Sequence, residues 1–428
     1  MSARTNHPID KVRELQRTLY RAAKRARGRR FHALYDRITR EDVLWEAFKR
    51  VRAKRGAAGV DKESLETIET EGVEKFLADI RERLITRRYR PCPVRRVYIA
   101  KTDGKKRPLG IPTVRDRVVQ MATKLVLEPI FEADFLECSY GFRPRRSAHQ
   151  ALSAIIKRIN GGGRWVVDAD IQAFFDNIDH GRLLQLVERR VSDRRVVKLL
   201  RQWLKAGVME EGKVRTTILG TPQGGVISPL LANLYLHELD RIWQQRCKSW
   251  GELVRYADDL IIVCSTELKA GESLGRLKLI LKQLGLELNE NKTWVVDSRS
   301  KGFDFLGFHN RGVQSWRSRR ISVQRWPSVK AMKVIRSKVK AVTNRSMSSK
   351  SVQDVVVFLN PILRGWWQYF RWGSSGRKAA QLRYYVHERL ALFDSYKRQC
   401  RGRRWHAHKQ DWFNGLGVYT LVGAGRYA

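Results

Sequence analysis

The chain has 428 residues, enough for several cooperating domains. Lys and Arg number 85 against 43 Asp and Glu, which gives a formal net charge of +42. Such an excess, spread along the whole length, indicates a folded body that binds a polyanion. No apolar stretch is long enough to span a membrane, and charged residues stand where a secretion signal needs an apolar core. The five cysteines form no C-x-x-C pair, so we expect a reduced compartment, no zinc module and no disulfide framework.

The first part of the chain is predicted to be a basic helical extension, residues 1–90. Helical patterning begins near Lys11, breaks at residues 55–61 and resumes in an amphipathic helix from about Leu65 to Leu84. Short apolar strands mixed with helices then fill residues 91–313. This mixture predicts an α+β catalytic body.

A basic hairpin is predicted at residues 99–112, where two strands flank an Asp-Gly turn. Cations on both arms are suited to a triphosphate, Lys101 as a point charge and Arg107 as a planar fork. A solvated basic hairpin explains the same pattern equally well. The segment therefore leaves both interpretations open.

Acidic residues follow two predicted strands. In the strand from Trp165 to Ile171, alternation places Asp168 and Asp170 on one face. The pair Asp258 and Asp259 lies between apolar runs, which predicts the tip of a buried hairpin. Carboxylates held in this way favour a hard divalent cation such as Mg²⁺, and three acids from two strands make a two-metal site. The alternative is a hairpin in which Asp259 only caps the bend.

A glycine-rich loop at residues 220–229 precedes a predicted helix from Leu230 to Leu239. Its glycines allow a nucleotide or another backbone to approach closely, with Gln223 beside the base or sugar. The simpler interpretation is a helix start with Ser228 as cap and Pro229 in the first turn. Both interpretations can hold together.

The C-terminal region, residues 325–428, is predicted to be helical and rich in Trp, Tyr and Arg. Three helices are expected: Ser328 to Ala341, Val352 to Trp372 with an interruption near Pro361, and Lys378 to Gln399. Aromatic residues at helical spacing favour a core role for any single one of them. Interleaved arginines, Arg364 and Arg371, are better candidates for phosphate contacts.

Taken in order, these segments resemble a group II intron-encoded reverse transcriptase and maturase of the bacterial type. Residues 359–372 are similar to the thumb, or maturase-specific, domain of that family. The resemblance implies a right-hand polymerase fold, with fingers, a palm built on an antiparallel sheet, and a helical thumb. The segments that carry it are residues 56–61, 101–112, 139–144, 170–180, 220–229, 256–259, 286–293 and 305–308.

The resemblance also implies roles for individual residues. The catalytic acids map to Asp170, Asp258 and Asp259, which makes Asp168 the less favoured ligand. Phe175 corresponds to the steric gate against a ribose 2′-hydroxyl, and Lys292 to a group that protonates or stabilises the leaving pyrophosphate. The resemblance also places Ile171 with the acids at the two Mg²⁺ ions. It places Lys101, Arg107 and Gln223 at the nucleotide. The primer grip would comprise Phe305, Leu306 and Gly307.

Two positions depart from the family pattern: Ala100 stands where proline is usual and Arg145 where glycine is common. Neither is an implied metal ligand, so activity is still expected, with a different geometry of the finger loop. The cysteine pairs and clustered histidines of the endonuclease domain found in some relatives are not seen in the sequence. We therefore expect a protein without that domain.

The expected function is RNA-directed DNA synthesis on an RNA template and a DNA primer or target, from dNTPs. The resemblance adds binding of the group II intron RNA to promote splicing and mobility. Two alternatives stay open: a domesticated bacterial reverse transcriptase in defence or repair, and a non-catalytic RNA-binding splicing factor. The expected location is the bacterial cytoplasm, at the nucleoid when the protein engages DNA, with no membrane partner.

Overall fold

The computed structural model describes residues 8–100, 106–210, 213–215, 220, 224–314, 321–399 and 408–422. By the contacts among its residues the chain divides into two compact units. The first unit comprises Met1–Ala151, Val167–Ile262 and Leu268–Trp294. The second comprises Leu152–Val166, Val263–Glu267 and Val295–Ala428. The predicted division at residues 1–90, 91–313 and 325–428 stays a prediction.

Helices and strands largely occur in separate runs along the described chain, which agrees with the α+β class. The helices are α1 (Pro8–Arg25), α2 (Tyr35–Ile38), α3 (Glu41–Arg52), α4 (Leu65–Glu71), α5 (Val73–Ile85), α6 (Val114–Glu132), α7 (Ala148–Asn160), α8 (His180–Glu188), α9 (Arg194–Lys205), α10 (Ser228–Ile242), α11 (Glu267–Gln283), α12 (Val329–Val342), α13 (Val352–Phe370), α14 (Gly376–Lys397) and α15 (Gln410–Gly415). The strands are β1 (Val94–Ala100), β2 (Lys106–Ile111), β3 (Trp165–Asp170), β4 (Val208–Glu210), β5 (Lys213–Arg215), β6 (Glu252–Tyr256), β7 (Asp259–Cys264), β8 (Trp294–Asp297), β9 (Phe303–Phe305), β10 (Phe308–Gln314) and β11 (Ile321–Pro327).

The N-terminal helices belong to the first unit, in which α1 and α3 both contact α6. The single helix predicted from Leu65 to Leu84 is wrong in one respect, because Gly72 divides it into α4 and α5. Gly72 has a φ of +105°, a conformation that only glycine adopts without strain. The side chain of Ser64 caps α4 by accepting a hydrogen bond from the backbone N–H of Thr67.

A four-stranded sheet with the order β2-β1-β4-β5 contains the predicted basic hairpin. Strands β1 and β2 are antiparallel, with Ile99 opposite Arg107 and Ala100 opposite Lys106. The turn between them, residues 101–105, lies outside the described residues. Strand β4 joins β1 in parallel at Val94 and Val208.

A second four-stranded sheet has the order β6-β7-β3-β8 and includes both acidic strands. The buried helix α10 follows the glycine-rich loop, as predicted, but Ser228 is not its cap. Ile227 occupies the N-cap position without a side-chain hydrogen bond, and Ser228 is already helical. The fixed φ of Pro229 is compatible with the first helical turn that follows, where its missing N–H costs no hydrogen bond.

The second unit contains a three-stranded sheet, β11-β10-β9, and the C-terminal helices. Apolar residues of α12, α13 and α14 form its core. The predicted interruption near Pro361 is wrong, because α13 is continuous from Val352 to Phe370. Pro361 lies on the exposed face of the helix, as does Val357 one turn earlier, so water can satisfy the carbonyl group that the proline leaves unbonded.

Candidate functional site

The acidic pair lies on a tight hairpin, as the apolar flanks predict. Strands β6 and β7 are adjacent, and only Ala257 and Asp258 separate them. Ala257 has a φ of +59° in a two-residue turn, where hairpins favour glycine, asparagine or aspartate. The residues of β7 that follow Asp259, at positions 260–264, are all buried, whereas Asp258 is half-buried and Asp259 is exposed. The hairpin therefore presents its carboxylates at the end of a rigid, buried support.

The second acidic strand, β3, is buried at Val166, Val167 and Ala169. Asp168 and Asp170 are both half-buried, which agrees with their predicted position on one face. Alternation alone therefore does not decide between them.

Lys292 distinguishes the two acids. Its Nζ donates a hydrogen bond of 2.9 Å to Oδ2 of Asp170. That hydrogen bond raises the pKa of Lys292 above its ordinary value, and the negative charges of Asp259 and Asp258 raise the pKa further. One ammonium group thus interacts with the three acids that the resemblance implies. We call Asp170, Asp258, Asp259 and Lys292 the carboxylate site.

Backbone hydrogen bonds next to Asp170 hold the segment that carries Lys292. They also leave the main-chain carbonyl of Ile171 without a partner in the neighbouring bridge. Asn289 donates its backbone N–H to the carbonyl of Asp170 at 2.8 Å, just before the short 3-10 turn Glu290–Lys292. Ile171 and Leu288 form an isolated antiparallel bridge, and the hydrogen bonds run between the residues that flank them. In such a pair the N–H and C=O groups of Ile171 point away from Leu288. The main-chain oxygen of Ile171 is therefore not consumed by this bridge.

The donors of the carboxylate site are hard oxygen atoms, which suit Mg²⁺. Among the described residues, no group of three or more His, Cys, Asp or Glu side chains is arranged to hold a metal ion. The Lys292 ammonium donates a hydrogen bond to Asp170 and is also affected by the charges of Asp258 and Asp259. The residues fit an open site, because Mg²⁺ is commonly held by one or two carboxylates together with water and substrate phosphates.

A buried polar network supports the hairpin from below, and the sequence interpretation missed it. Arg255 in β6 has no exposed side-chain surface, and its Nε and Nη2 donate to the two carboxylate oxygens of Asp240 at 2.8 and 2.5 Å. Although burial lowers the pKa of Arg255, the charge and hydrogen bonds of Asp240 outweigh it and raise that pKa overall. The sequence did contain a signal for this network: Arg255 is a charged residue inside an apolar strand, and a buried charge requires a partner.

Two glycines bring other segments close to the site. Gly141 lies against the acidic hairpin, since a Cβ atom there would be 2.3 Å from the backbone nitrogen of Ala257. Gly224 lies against the basic hairpin, since its Cβ would be 2.3 Å from the carbonyl oxygen of Gly110. Glycine is required at both positions because a larger residue would displace backbone.

The predicted nucleotide-binding residues are only partly described. Phe175 is half-buried in the 3-10 turn Phe174–Asp176, and its ring meets the buried ring of Phe174 edge-on at 5.3 Å. Arg107 lies in β2, which places its backbone in the basic hairpin. Lys101 and Gln223 lie outside the described residues.

The predicted primer grip is a strained bend in the second unit. Leu306 and Gly307 have φ values of +49° and +80°. Tyr369 of α13 donates its hydroxyl to the carbonyl of Leu306 at 2.9 Å, and the backbone N–H of Ser328 donates to the carbonyl of Gly307 at 2.9 Å. Phe305 is buried. The bend is therefore fixed against the C-terminal helices of its own unit.

The two candidate RNA-contacting arginines lie along the end of α13. Arg364 is exposed with its guanidinium 5.5 Å from the ring centre of Tyr419, and Arg371 is half-buried at 4.9 Å from that of Trp372. Trp367 and Phe370 are buried, which confirms the expected core role for these aromatic residues. No helix within the described ranges is long and apolar enough to cross a membrane.

Two successive regions of the chain match known protein families. Residues 99–310 match the family described as reverse transcriptase (RNA-dependent DNA polymerase), and residues 332–412 match the group II intron, maturase-specific domain. Both matches follow the order predicted from the motifs.

Individual relatives carry related names. The chain is 36% identical over 338 residues to Protein YkfC of Escherichia coli, covering 69% of this chain and 87% of that protein. It is 43% identical over 214 residues to the group II intron-encoded protein LtrA of Lactococcus lactis, covering 49% of this chain and 35% of LtrA. The matched region thus spans about a third of LtrA. The chain belongs to the group II intron-encoded reverse transcriptase and maturase family.

Proposed function

We propose that this protein is an RNA-directed DNA polymerase that extends a primer 3′-hydroxyl with dNTPs and also binds a group II intron RNA. The observation that carries the proposal is the hydrogen bond from the Lys292 ammonium to Asp170, at a position where the charges of Asp258 and Asp259 also act on Lys292. A cation-binding acidic site on a buried hairpin is what phosphoryl transfer requires. The match to the reverse transcriptase family supports the same reaction.

In this proposal Asp170, Asp258 and Asp259 hold two Mg²⁺ ions, together with the main-chain carbonyl of Ile171. When bound, the ions activate the primer hydroxyl and stabilise the charge of the departing pyrophosphate. Lys292 carries a positive charge at neutral pH, as an ordinary lysine does, and its raised pKa strengthens its hold on the proton. With substrate bound, the Lys292 ammonium would stabilise or protonate the leaving pyrophosphate.

The nucleotide is selected by side chains on several segments. Lys101 and Arg107 on the basic hairpin bind the triphosphate, and Gln223 lines the pocket beside the base or sugar. Phe175 excludes a ribose 2′-hydroxyl by its bulk. Its backbone is fixed, because Gly220 packs so closely that an added Cβ would lie 2.9 Å from the carbonyl oxygen of Phe175. Phe305, Leu306 and Gly307 direct the primer end.

Binding of the intron RNA would promote its splicing and mobility. The formal net charge of +42 supports a large phosphate-neutralising surface. The match to the maturase-specific domain covers Arg364 and Arg371, which we propose as phosphate contacts. Structured RNA is recognised mainly through its backbone and A-form shape. Because the proposed substrates and the partner RNA are found in the bacterial cytoplasm, we propose that the protein acts there. When it engages DNA, it would act at the nucleoid.

The polymerase activity is tested with Asp258→Asn combined with Asp259→Asn. We expect primer extension to disappear while RNA binding and splicing persist, because only the metal-binding charge is removed. The control is Glu71→Gln with Glu74→Gln, which changes the net charge equally at exposed positions of α4 and α5, outside the acidic hairpin. Persistent extension by the aspartate variant would refute the site assignment. Loss of RNA binding by the folded aspartate variant would refute the separation of the two roles.

The RNA partner is tested by sequencing the RNA that copurifies with the protein from its native host at moderate salt. Enrichment of one structured RNA whose ends flank this gene supports the intron-binding function. A diffuse mixture of cellular RNAs, compared with a matched input sample, would instead indicate a free-standing reverse transcriptase.

A further inference from the structure

The turn that carries the catalytic acids has a conformation that its own sequence does not favour. Ala257 has a φ of +59°, a left-handed value that L-residues with a Cβ atom rarely adopt. Asp258 follows it directly and Asp259 begins β7. A small rotation at Ala257 would therefore displace both carboxylates. Something outside the turn must hold this conformation.

The guanidinium group of Arg255 makes hydrogen bonds that hold the turn in this conformation. Nη1 of Arg255 donates to the carbonyl oxygen of Ala257 and to Oδ1 of Asn233, both at 3.0 Å. Its Nε and Nη2 each donate a hydrogen bond to a carboxylate oxygen of Asp240. Asn233 and Asp240 are both buried and lie on α10, seven residues and about two helical turns apart. Arg255, Asp240 and Asn233 are called the Arg255 network below.

The network also reaches the segment on the other side of the turn. The side-chain amide of Asn233 donates to the carbonyl oxygen of Gly141 at 2.8 Å. Gly141 lies directly against the backbone of Ala257, with no room for a Cβ atom. Backbone hydrogen bonds from Arg255 to Cys138 and from Tyr140 to Arg255 hold the same segment in place. The turn is thus confined by Arg255 on one side and by Gly141 on the other.

We propose that Arg255 is a positioning residue for catalysis: with Asp240 and Asn233 it fixes the left-handed turn at Ala257 and thereby the places of Asp258 and Asp259. The inference rests on the proposed polymerase function. The buried pair of Arg255 and Asp240 would then affect the rate of the chemical step without contacting the substrate. A purely structural pair would change stability but leave the rate of the folded enzyme unaltered.

Lysine cannot replace Arg255 in this role. A Lys ammonium can neutralise Asp240, but it lacks the planar fork that bonds Asp240, Asn233 and Ala257 at the same time. Arg255→Lys therefore keeps the buried charge compensated and releases the carbonyl of Ala257. Displacement of reacting groups by about 1 Å can cost about 10²-fold in rate, and we expect a fall in kcat of that order.

The experiment measures single-nucleotide primer extension at saturating primer-template, together with KM for dNTP and thermal unfolding. Arg190→Lys is the matched control, because Arg190 is another buried arginine that pairs with an acid, Asp134, and with main-chain carbonyls. Both variants should unfold at lower temperature. Only Arg255→Lys should lower kcat, with KM for dNTP unchanged.

A second substitution distinguishes positioning from general damage. Glycine adopts a positive φ without a steric penalty, so Ala257→Gly in the Arg255→Lys background should recover part of the lost kcat. It should not recover the lost thermal stability that comes from the Asp240 contacts. Should Arg255→Lys fail to fold, Asn233→Ser provides the same test, because it keeps the pair of Arg255 and Asp240 and should lower kcat by a smaller factor.

The outcomes separate this inference from the proposed function. If the wild-type protein extends primers and folded Arg255→Lys or Asn233→Ser keeps the wild-type kcat, the positioning role is refuted. It is also refuted if Ala257→Gly gives no recovery. If the wild-type protein extends no primer under any condition, the polymerase function itself fails.

Discussion

The carboxylate site and the C-terminal helical core are stabilised by opposite means. Beneath the acidic hairpin, Arg255 and Asp240 are a fully buried ion pair with no exposed side-chain surface. The core of α12, α13 and α14 is apolar, with Ile335, Leu359 and Leu382 almost completely buried. Polar networks fix atom positions through directional bonds, whereas apolar cores mainly supply stability. The proposed catalytic role needs the first property, and the proposed display of a cationic surface needs only the second.

The largest expected stability effect concerns the apolar side of this comparison. Leu359→Ala removes a fully buried side chain from α13 and should lower the free energy of unfolding by about 2 to 5 kcal/mol. The change is measured by urea denaturation. Val357→Ala on the exposed face of the same helix is the control and should have little effect. Equal losses in the two variants would contradict the assigned core.

A change at the nucleotide should alter selectivity more than stability. Phe175→Ala removes the proposed steric gate, and we expect discrimination against ribonucleotides to fall by about 10²-fold, or about 2.7 kcal/mol. Competitive incorporation of a dNTP and its rNTP measures the ratio. Phe174→Leu is the control, since Phe174 is buried beside the gate. Unaltered discrimination in Phe175→Ala would remove Phe175 from the pocket.

Acidification should affect the C-terminal unit through His387. Burial, with a smaller contribution from the charge of Arg383, lowers the pKa of His387 from 6.5 to about 4. The ring stacks on Phe413 with centres 4.0 Å apart. Because the fold favours the neutral ring, this contribution is complete above pH 6.5 and is lost as the pH falls toward 4.

Partial solvent exposure limits the size of that pH effect to about 1 kcal/mol. Urea denaturation at pH 7.5 and pH 5 measures it. His387→Phe keeps a stacking ring without a titrating group, so its loss of stability between the two pH values should be smaller than in the wild-type protein. The prediction fails if both proteins lose the same stability.

The smallest effects are expected for single surface cations. Arg364→Gln and Arg371→Gln should each weaken RNA binding a few-fold and reduce the slope of log affinity against log salt by about 1. Filter binding across a salt series measures the slope. Gln368→Asn, on the same helix without a change of charge, should leave it unaltered. An unchanged slope in both arginine variants would locate the RNA contacts elsewhere.

The sequence predicted those parts of the fold that depend on local pattern. The apolar flanks of Asp258 and Asp259 indicated the hairpin, and the structure confirms it. Three C-terminal helices were expected near their observed positions. The errors lie where one residue competes with the pattern around it. Gly72 ends a helix that its neighbours would continue, while Pro361 does not end α13 because its face of the helix is exposed.

The contacts that support the carboxylate site could not be predicted from the sequence, for a different reason. Arg255 and Asp240 are separated by 15 positions, and nothing local indicates that α10 passes beneath β6. Lys292 was expected near the pyrophosphate, but its hydrogen bond with Asp170 joins positions 122 residues apart. Such pairings depend on tertiary packing. Charged residues within apolar strands show where a partner is needed without identifying it.

The central claim is that Asp170, rather than Asp168, completes the catalytic acids with Asp258 and Asp259. The most direct measurement is single-turnover incorporation of one nucleotide by Asp170→Asn and by Asp168→Asn, two residues on the same face of β3. Asp170→Asn should lose at least about 10³-fold in rate, because several kcal/mol of transition-state stabilisation depend on the metal ligands. Asp168→Asn should retain most of the wild-type rate. Equal losses, or a larger loss in Asp168→Asn, would contradict the assigned site.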